Sequence, residues 1–327
     1  MNNYTPPYNT TEEMLELVSE IMECLGQISG VNDLAKLPKL RRANRIKSIY
    51  SSLAIEHNSL SLEQVSDIIN GKRVLGAPDE IQEVKNAIDA YRLLENLDPY
   101  KINELLKAHK AMTNGLIEES GNFRTREEGV FAGERCIHVA PPAKNVPSLM
   151  QDLFDWLNIS KTHPLIKSSV FHYEFEFIHP FRDGNGRMGR FWQTALLSRW
   201  KPIFAWIPVE SMIIDKQEEY YTAISQSTAA GNSNPFIIFM LEAFLKAIKG
   251  LVEDSNDHMN HISDRVRQLM NIIKDYPMSS IELMKLLRLK SRETFRQNYL
   301  MPALESGLIG MTIPEKPTSR NQMYFKK

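Results

Sequence analysis

Residues 179–190 read His-Pro-Phe-Arg-Asp-Gly-Asn-Gly-Arg-Met-Gly-Arg, and the types and spacing suit work on a phosphate chain. His179 offers an imidazole base near neutral pH, and Asp183 offers the hard oxygen that Mg²⁺ prefers. Gly184, Asn185 and Gly186 tolerate the tight backbone that turns successive N–H groups toward an anion at a helix start. Arg187 and Arg190 then fall three residues apart, on one face of that helix. Two cations in a first turn oppose the helix dipole unless an anion lies between them. Taken singly, each residue is more often structural, a satisfied histidine or a solvated arginine. Their concentration within one short segment carries the reading.

The same letters spell G-x-G-x-x-G at Gly184, Gly186 and Gly189, with Glu210 downstream, which invites a dinucleotide fold. The context argues against it. A buried parallel strand reads as a continuous apolar run, whereas Tyr173-Glu-Phe-Glu-Phe177 follows His172 and fits the end of a helix begun near Leu165. No second strand–helix–strand unit follows. His179-Pro180 should end that helix, because the residue before proline avoids the helical region.

The elements that must position this turn are mostly helices. Thr10 and Glu13 suggest a capping box before the stripe Met14, Leu17, Val18, Ile21, Met22 and Leu25. Another stripe (Leu40, Ala43, Ile46, Ile49, Tyr50, Leu53) leads into residues 51–56, and Ser61 with Gln64 caps a helix that Gly71 ends. Further helices are expected over 81–94, 102–112, 146–159, 165–178, 186–200, 216–229 and 235–252, and a β-hairpin over 129–142 around Gly133. Residues 252–263 suit a linker or the end of a long helix.

Charge divides the chain. From His258 onward 12 Lys and Arg stand against 6 Asp and Glu, a net of +6 against −7 for the rest, so a separate C-terminal module is expected. Cys24 and Cys136 have neither disulfide nor metal-ligand spacing and read as buried thiols. The start, Met-Asn-Asn-Tyr-Thr-Pro-Pro, carries no export signal, and the apolar stretch 235–252 is broken by Glu242, Lys246 and Lys249. A cytoplasmic protein without membrane contact is the expectation.

The motif resembles that of the Fic (filamentation induced by cAMP) family, H-x-F-x-[DE]-G-N-G-R-x-x-R, at His179, Phe181, Asp183, Gly184, Asn185, Gly186, Arg187 and Arg190. The resemblance implies a mostly α fold, a helical core with a short β-hairpin flap, and transfer of AMP from ATP to a protein Ser, Thr or Tyr hydroxyl. His179 would then be the base and Phe181 a buried anchor. Asp183 would ligate Mg²⁺, Gly184–Gly186 would donate backbone N–H bonds with the Asn185 side chain assisting, Arg187 would bind phosphate, and Arg190 would hold the γ-phosphate. Met188 and Gly189 complete the nucleotide-binding segment. Gly-Asn-Gly, rather than the lysine-containing variant of the related Doc kinases, favours AMP transfer over phosphoryl transfer.

By the same resemblance the hairpin is the flap, with Ala132, Gly133, Glu134 and Arg135 nearest the nucleotide and a target segment added at its edge, and Tyr220-Tyr221 lie beside the adenine. Ser52-Leu-Ala-Ile-Glu56-His57 resembles the inhibitory motif [ST]-x-x-x-E-[GN], in which Glu56 would pair with Arg190. It departs at His57, where Gly or Asn is usual. Three regions are expected: N-terminal helices over 1–100 with an inhibitory helix near 40–57, a catalytic core over 101–252, and a winged helix-turn-helix over 258–327. The partners implied are a protein substrate, the chain itself among the candidates, and DNA or protein at the C-terminal module. Two rivals stay open: hydrolysis of AMP from a modified protein with Glu56 positioning water, and a DNA-binding regulator with a nucleotide-sensing core.

Overall fold

Hydroxyls and prolines open most of the helices in the computed structural model, which describes residues 4–31, 38–127, 129–132, 135–261, 263–274 and 276–326. The chain divides into two compact units, residues 1–23 with 44–248, and residues 24–43 with 249–327. Helix α1 (Glu12–Val31) starts at Thr11, whose hydroxyl accepts the Met14 N–H at 3.2 Å. The box expected at Thr10 and Glu13 is thus displaced by one residue. Starting at Thr11 keeps Glu12 and Glu13 in the first turn, where they complement the dipole, but puts Met14 where a reciprocal carboxylate would be needed.

Helix α2 (Pro38–Ile55) is followed by α3 (Leu62–Ile69), where the Ser61–Gln64 capping box forms as expected. Gly71 takes up φ +75° beyond its end. Helix α4 (Pro78–Leu93) begins earlier than expected because Pro78, already fixed in φ, occupies its first position; α5 (Ile102–Thr113) follows. The expected hairpin forms from β1 (Gly129–Ala132) and β2 (Arg135–Val139), antiparallel, with Ala132 opposite Arg135 and a register shift between Val130 and Phe131. Its tip residues Gly133 and Glu134 lie outside the described residues.

Helices α6 (Val146–Ile159), α7 (Pro164–Ile178) and α8 (Asn185–Trp200) form the centre of the first unit. Helix α7 buries Leu165, Ile166, Val170, Phe171, Phe175 and Ile178, together with Ser168, Ser169, His172, Glu174 and Glu176. A helix buried on all sides has no amphipathic stripe, which is why Tyr173–Phe177 imitates a strand in the sequence. Helix α9 (Val209–Asp215) was not foreseen; α10 (Gln217–Ala230) was. Helix α11 runs over Asn234–His261, so residues 252–261 end a long helix. No helix among the described residues is long and apolar enough to cross a membrane. Cys24 is buried without a disulfide; the Cys136 side chain lies outside the description.

The second unit has its own core. Helix α12 (Asp264–Ile272), absent from the sequence reading, contributes Val266 and Leu269. Strand β3 (Met278–Ser279) leads into α13 (Ser280–Leu286), a turn, and a helical run made of α14 (Arg292–Phe295), a π turn over Arg296–Leu300 and α15 (Met301–Glu305). Strands β4 (Ile309–Met311) and β5 (Met323–Lys326) close an antiparallel sheet of order β3-β5-β4. These are the helix-turn-helix and closing hairpin expected of a winged helix. Leu283, Phe295, Tyr299, Ala303, Ile309 and Tyr324 complete its core.

Candidate active site

The turn between α7 and α8 is held at every residue that could do chemistry. His179 ends α7 in the left-handed region (φ 50°, ψ 61°), and its N–H still reaches the Phe175 carbonyl at 2.9 Å. That conformation is rare without glycine and needs support from its surroundings. Arg124 supplies it. This buried guanidinium donates to the carbonyls of His179 (2.7 Å), Ile178 (3.3 Å), Pro141 (2.6 Å) and Arg126 (2.8 Å), and the Arg124 N–H reaches the Pro180 carbonyl at 2.9 Å. One side chain thereby ties the histidine turn to both feet of the hairpin.

Phe181 is fully buried and stacks on His109, ring centroids 3.6 Å apart at 4°. Asn185 closes the loop on itself: its Oδ1 accepts the Phe181 N–H at 2.9 Å, and its Nδ2 donates to the Phe181 carbonyl at 2.7 Å. One acceptor and one donor position of the Asn185 amide are thus used to close the loop. His109 fastens the other side. Its Nδ1 accepts the Gly121 N–H at 2.9 Å, which leaves Nε2 as the protonated nitrogen that donates to the Asp183 carbonyl at 3.0 Å. Burial lowers the pKa of His109 to about 4, so the ring is neutral at physiological pH. Gly184 follows with φ +80°, a conformation suited to glycine.

Helix α8 starts at Asn185, and its first intrahelical acceptor, the Gly184 carbonyl, is taken by Met188. The N–H groups of Asn185, Gly186 and Arg187 consequently have no partner within the helix and can meet an anion. The Gly184 N–H is instead bonded to Asp183 Oδ1 at 2.6 Å, so the nest lies one residue later than expected. Two other sequence expectations are corrected here. Met188 is fully buried, and Gly189 faces α7, where a Cβ would come within 2.5 Å of Glu176 Oε1. Both residues serve packing.

Each motif arginine is buried and each meets a carboxylate from the N-terminal helices. Arg187 donates to Glu83 Oε1 at 2.9 Å and Asp183 Oδ2 at 3.1 Å. Arg190 donates through Nη2 to Glu56 Oε1 at 2.6 Å and to the Ser52 carbonyl at 3.0 Å, and through Nε to Ser52 Oγ at 3.2 Å. Burial opposes the charge on Arg190, but Glu56, with Tyr220 and Glu176, more than offsets it and raises the pKa. The Glu56 carboxylate lies against the backbone of Gly186, where any Cβ would overlap Oε1 and stand 3.0 Å from Arg190 Nη1. Below, burial works against the Glu176 carboxylate, yet His172, whose Nε2 lies 3.6 Å from its Oε1, and the charge of Arg190 lower its pKa.

Glu56 reaches this position through the end of α2. His57 adopts φ +68°, its N–H bonds the Ala54 carbonyl at 3.0 Å, and the Asn58 N–H bonds the Leu53 carbonyl at 3.1 Å. This is a Schellman ending with histidine in the position that glycine usually fills. Asn58 Nδ2 then donates to Glu83 Oε2 at 2.8 Å, linking the partners of both arginines. Deeper in the same unit, Glu210 accepts from Ser48 of α2 and Tyr91 of α4, each at 2.9 Å. Glu210 thus holds helices together and has no place in a ribose contact.

Of the tyrosine pair, Tyr220 belongs to the core, its hydroxyl 3.3 Å from His172 Nε2 and its ring against Phe236 and Phe239. That corrects the expectation for Tyr220. Tyr221 is half-buried, with its hydroxyl bonded by Gln217 at 3.4 Å, and Gln217 also bonds the Ile55 carbonyl at 2.8 Å. Asp183 is about half exposed, 52% by side chain, and an ionised carboxylate keeps acceptor capacity beyond its two bonds here. It fits one ligand position for Mg²⁺, an ion that usually takes one or two carboxylates together with phosphate oxygens and water. Among the described residues no group of three His, Cys, Asp or Glu side chains forms a cage.

Comparison with known proteins places this turn. The crystal structure of a Fic family protein from Desulfovibrio desulfuricans G20 matches with a TM-score of 0.77 and 47% sequence identity, over 99% of this chain and 98% of that one. The chain belongs to the Fic family. The model of the Fic/DOC family matches residues 99–197, and that of the Fic-like C-terminal domain matches residues 264–325. Two curated relatives are protein adenylyltransferase fic-1 of Caenorhabditis elegans, 28% identical over 77% of this chain and 50% of its own length, and protein adenylyltransferase Fic of Nematostella vectensis, 26% identical over 79% and 60%. This chain spans half to three-fifths of their length. The Fic-1 structure from C. elegans, residues 134–508, shares the fold at a TM-score of 0.63 and 22% identity, over 76% of this chain and 74% of that one. Three residues that hold this Fic site, Glu83, His109 and Arg124, were not singled out from the sequence. None carries a local signal, because each meets partners far away along the chain.

Proposed function

We propose that the chain is a protein adenylyltransferase held back by its own Glu56. The observation that carries this is the buried Arg190 guanidinium, whose Nη2 is engaged by Glu56 at 2.6 Å and whose other hydrogen bonds go to Ser52. The adenylyltransferase names of the curated relatives support the activity.

In the reaction, His179 takes the proton from a Ser, Thr or Tyr hydroxyl of the target. The freed oxygen bonds the α-phosphorus of ATP, the bond to the β-phosphate oxygen breaks, and pyrophosphate leaves. The N–H groups of Asn185–Arg187 and the Arg187 guanidinium hold phosphate oxygens, and Arg190, released by Glu56, holds the γ-phosphate. Mg²⁺ bound at Asp183 would supply charge neutralisation on the phosphates. Positioning and electrostatics of this kind account for most of the acceleration in such transfers. The hairpin edge is the proposed seat of the target segment.

The test is intact-protein mass after incubation with ATP and Mg²⁺, for wild type, Glu56→Gly and Glu56→Gly/His179→Ala, alone and with a cell extract as source of targets. AMP addition that rises in the single variant and vanishes in the double variant supports the proposal. One observation favours a second reading: Glu56 Oε2 has no protein hydrogen bond among the described residues, and the side chain is 35% exposed, so this oxygen can orient a water. Removal of AMP from a modified protein by wild type, lost in Glu56→Gly, would support that reverse reaction.

A further inference from the structure

The second unit carries a group of exposed cations that form no ion pair among the described residues. Lys285 ends α13, Arg288 and Lys290 lie in the turn that follows, and Arg292 and Arg296 stand four residues apart on the next helical run. Lys316 and Arg320 lie in the segment joining β4 to β5. Two of the nearby acids are hydrogen-bonded within their own turns, and Glu315 stands beside Lys316. Glu282 accepts from the N–H and hydroxyl of Ser279, both at 2.8 Å, and Glu293 accepts from Gln297 at 2.5 Å.

The backbone holds these cations in place. Arg288 adopts φ +55°, where glycine would be less strained, and the turn is closed by Arg288 N–H to the Lys285 carbonyl (3.1 Å) and Leu289 N–H to the Met284 carbonyl (2.9 Å). Ser291 caps the following run through the Thr294 N–H at 3.2 Å. Phe295 and Tyr299 anchor the inner side of that run in the core, so Arg292 and Arg296 face solvent. The exposed cations therefore occupy the turn, the second helix and the strand connection, the parts of a winged helix that meet a duplex.

We propose that this unit binds double-stranded DNA through its phosphates, with the helical run from Arg292 presented to the major groove. Duplex DNA fits better than an acidic protein surface, because its charge is regularly spaced and a helix with a flanking hairpin can follow groove and backbone together. The inference does not depend on adenylyl transfer.

The experiment is fluorescence anisotropy of the full-length protein with a 20-base-pair duplex of mixed sequence, titrated over a series of salt concentrations. Four to five phosphate contacts give a slope of log K against log salt of roughly −4. Arg292→Gln/Arg296→Gln should weaken binding and make that slope shallower by about 2, and Lys316→Gln/Arg320→Gln should act similarly. Lys72→Gln, in the other unit, should change neither, and circular dichroism checks that all variants are folded. Absence of saturable binding at low salt would overturn the proposal, as would unchanged affinity and slope in the folded Arg292→Gln/Arg296→Gln variant. A protein partner captured by the unit without any DNA binding would overturn it as well.

Discussion

Removing the Glu56 carboxylate should raise the affinity for ATP, and the size of the gain follows from the contacts of Arg190. For a γ-phosphate to reach Nη2, the charge-assisted bond to Glu56 must be given up, while the two bonds to Ser52 can remain. A hydrogen bond to a charged group contributes about 1.5–3 kcal/mol, which corresponds to roughly 10- to 150-fold in a binding constant. Glu56 is 35% exposed, so water screens the pair and the lower end of that range, about tenfold, is expected. Glu56→Gln keeps a hydrogen-bonding side chain without its charge and should lie between wild type and Glu56→Gly. Calorimetric titration with ATP and with AMP separates the γ-phosphate from the rest of the nucleotide. The gain should be present for ATP, nearly absent for AMP, and lost for ATP in Glu56→Gly/Arg190→Ala. Equal ATP affinity in wild type and Glu56→Gly, or an equal gain for AMP, would refute the idea that Glu56 occupies the γ-phosphate's place.

Three further outcomes follow from the supporting residues. Arg124→Lys keeps the charge but loses the fork that joins the histidine turn to the hairpin, so AMP transfer by Glu56→Gly should fall on the order of 10²-fold in kcat while calorimetric ATP affinity stays nearly unchanged; an equal loss of ATP affinity would contradict this. His109 has its folded pKa lowered to about 4 by burial. Between there and the ordinary value near 6.5 the unfolded chain binds a proton that the folded one does not, so stability falls as pH drops through this window and levels off below it. The loss between pH 7 and pH 4.5 is about 2.4 kcal/mol, read from urea unfolding at the two pH values, and His109→Gln should remove most of the difference. Burial raises the pKa of Glu210, so Glu210→Gln, which accepts one hydroxyl through Oε1 and donates to the other, reoriented hydroxyl through Nε2, should unfold thermally close to wild type; Glu210→Ala strands both hydroxyls and should lose about 1–3 kcal/mol.

The turn was legible because its chemistry is local. Twelve consecutive residues carry the histidine, the carboxylate and the arginines, and the proline and glycines that shape the backbone lie among them. The residues that hold the turn were not legible, because their signal exists only in three dimensions. Glu83 meets Arg187 across 104 residues of chain, and Arg124 meets His179 across 55. Adjacent residues caused the other errors. Tyr220 and Tyr221 differ by about 100° around their helix, which sends one into the core and leaves the other at its edge. Met188 and Gly189 sit within a motif yet face inward for the same reason.

His57 shows how a departure from a sequence pattern can leave geometry intact. The motif that this segment resembles usually has glycine or asparagine after the glutamate, residues that suit a helix ending in the left-handed region. Histidine takes that conformation here at φ +68°, with both Schellman bonds formed. The extra strain of a side chain at this position is on the order of 1 kcal/mol, comparable to the bond from Asn58 to Glu83 that the same turn makes accessible. If that balance is right, His57→Gly should stabilise the end of α2 and so tighten the hold of Glu56 on Arg190. The expected readout is a several-fold weaker ATP affinity than wild type, the opposite direction to Glu56→Gly. Unchanged or stronger ATP binding in a folded His57→Gly protein would mean that the helix end does not govern the carboxylate, and that Asn58 and Glu83 hold it instead.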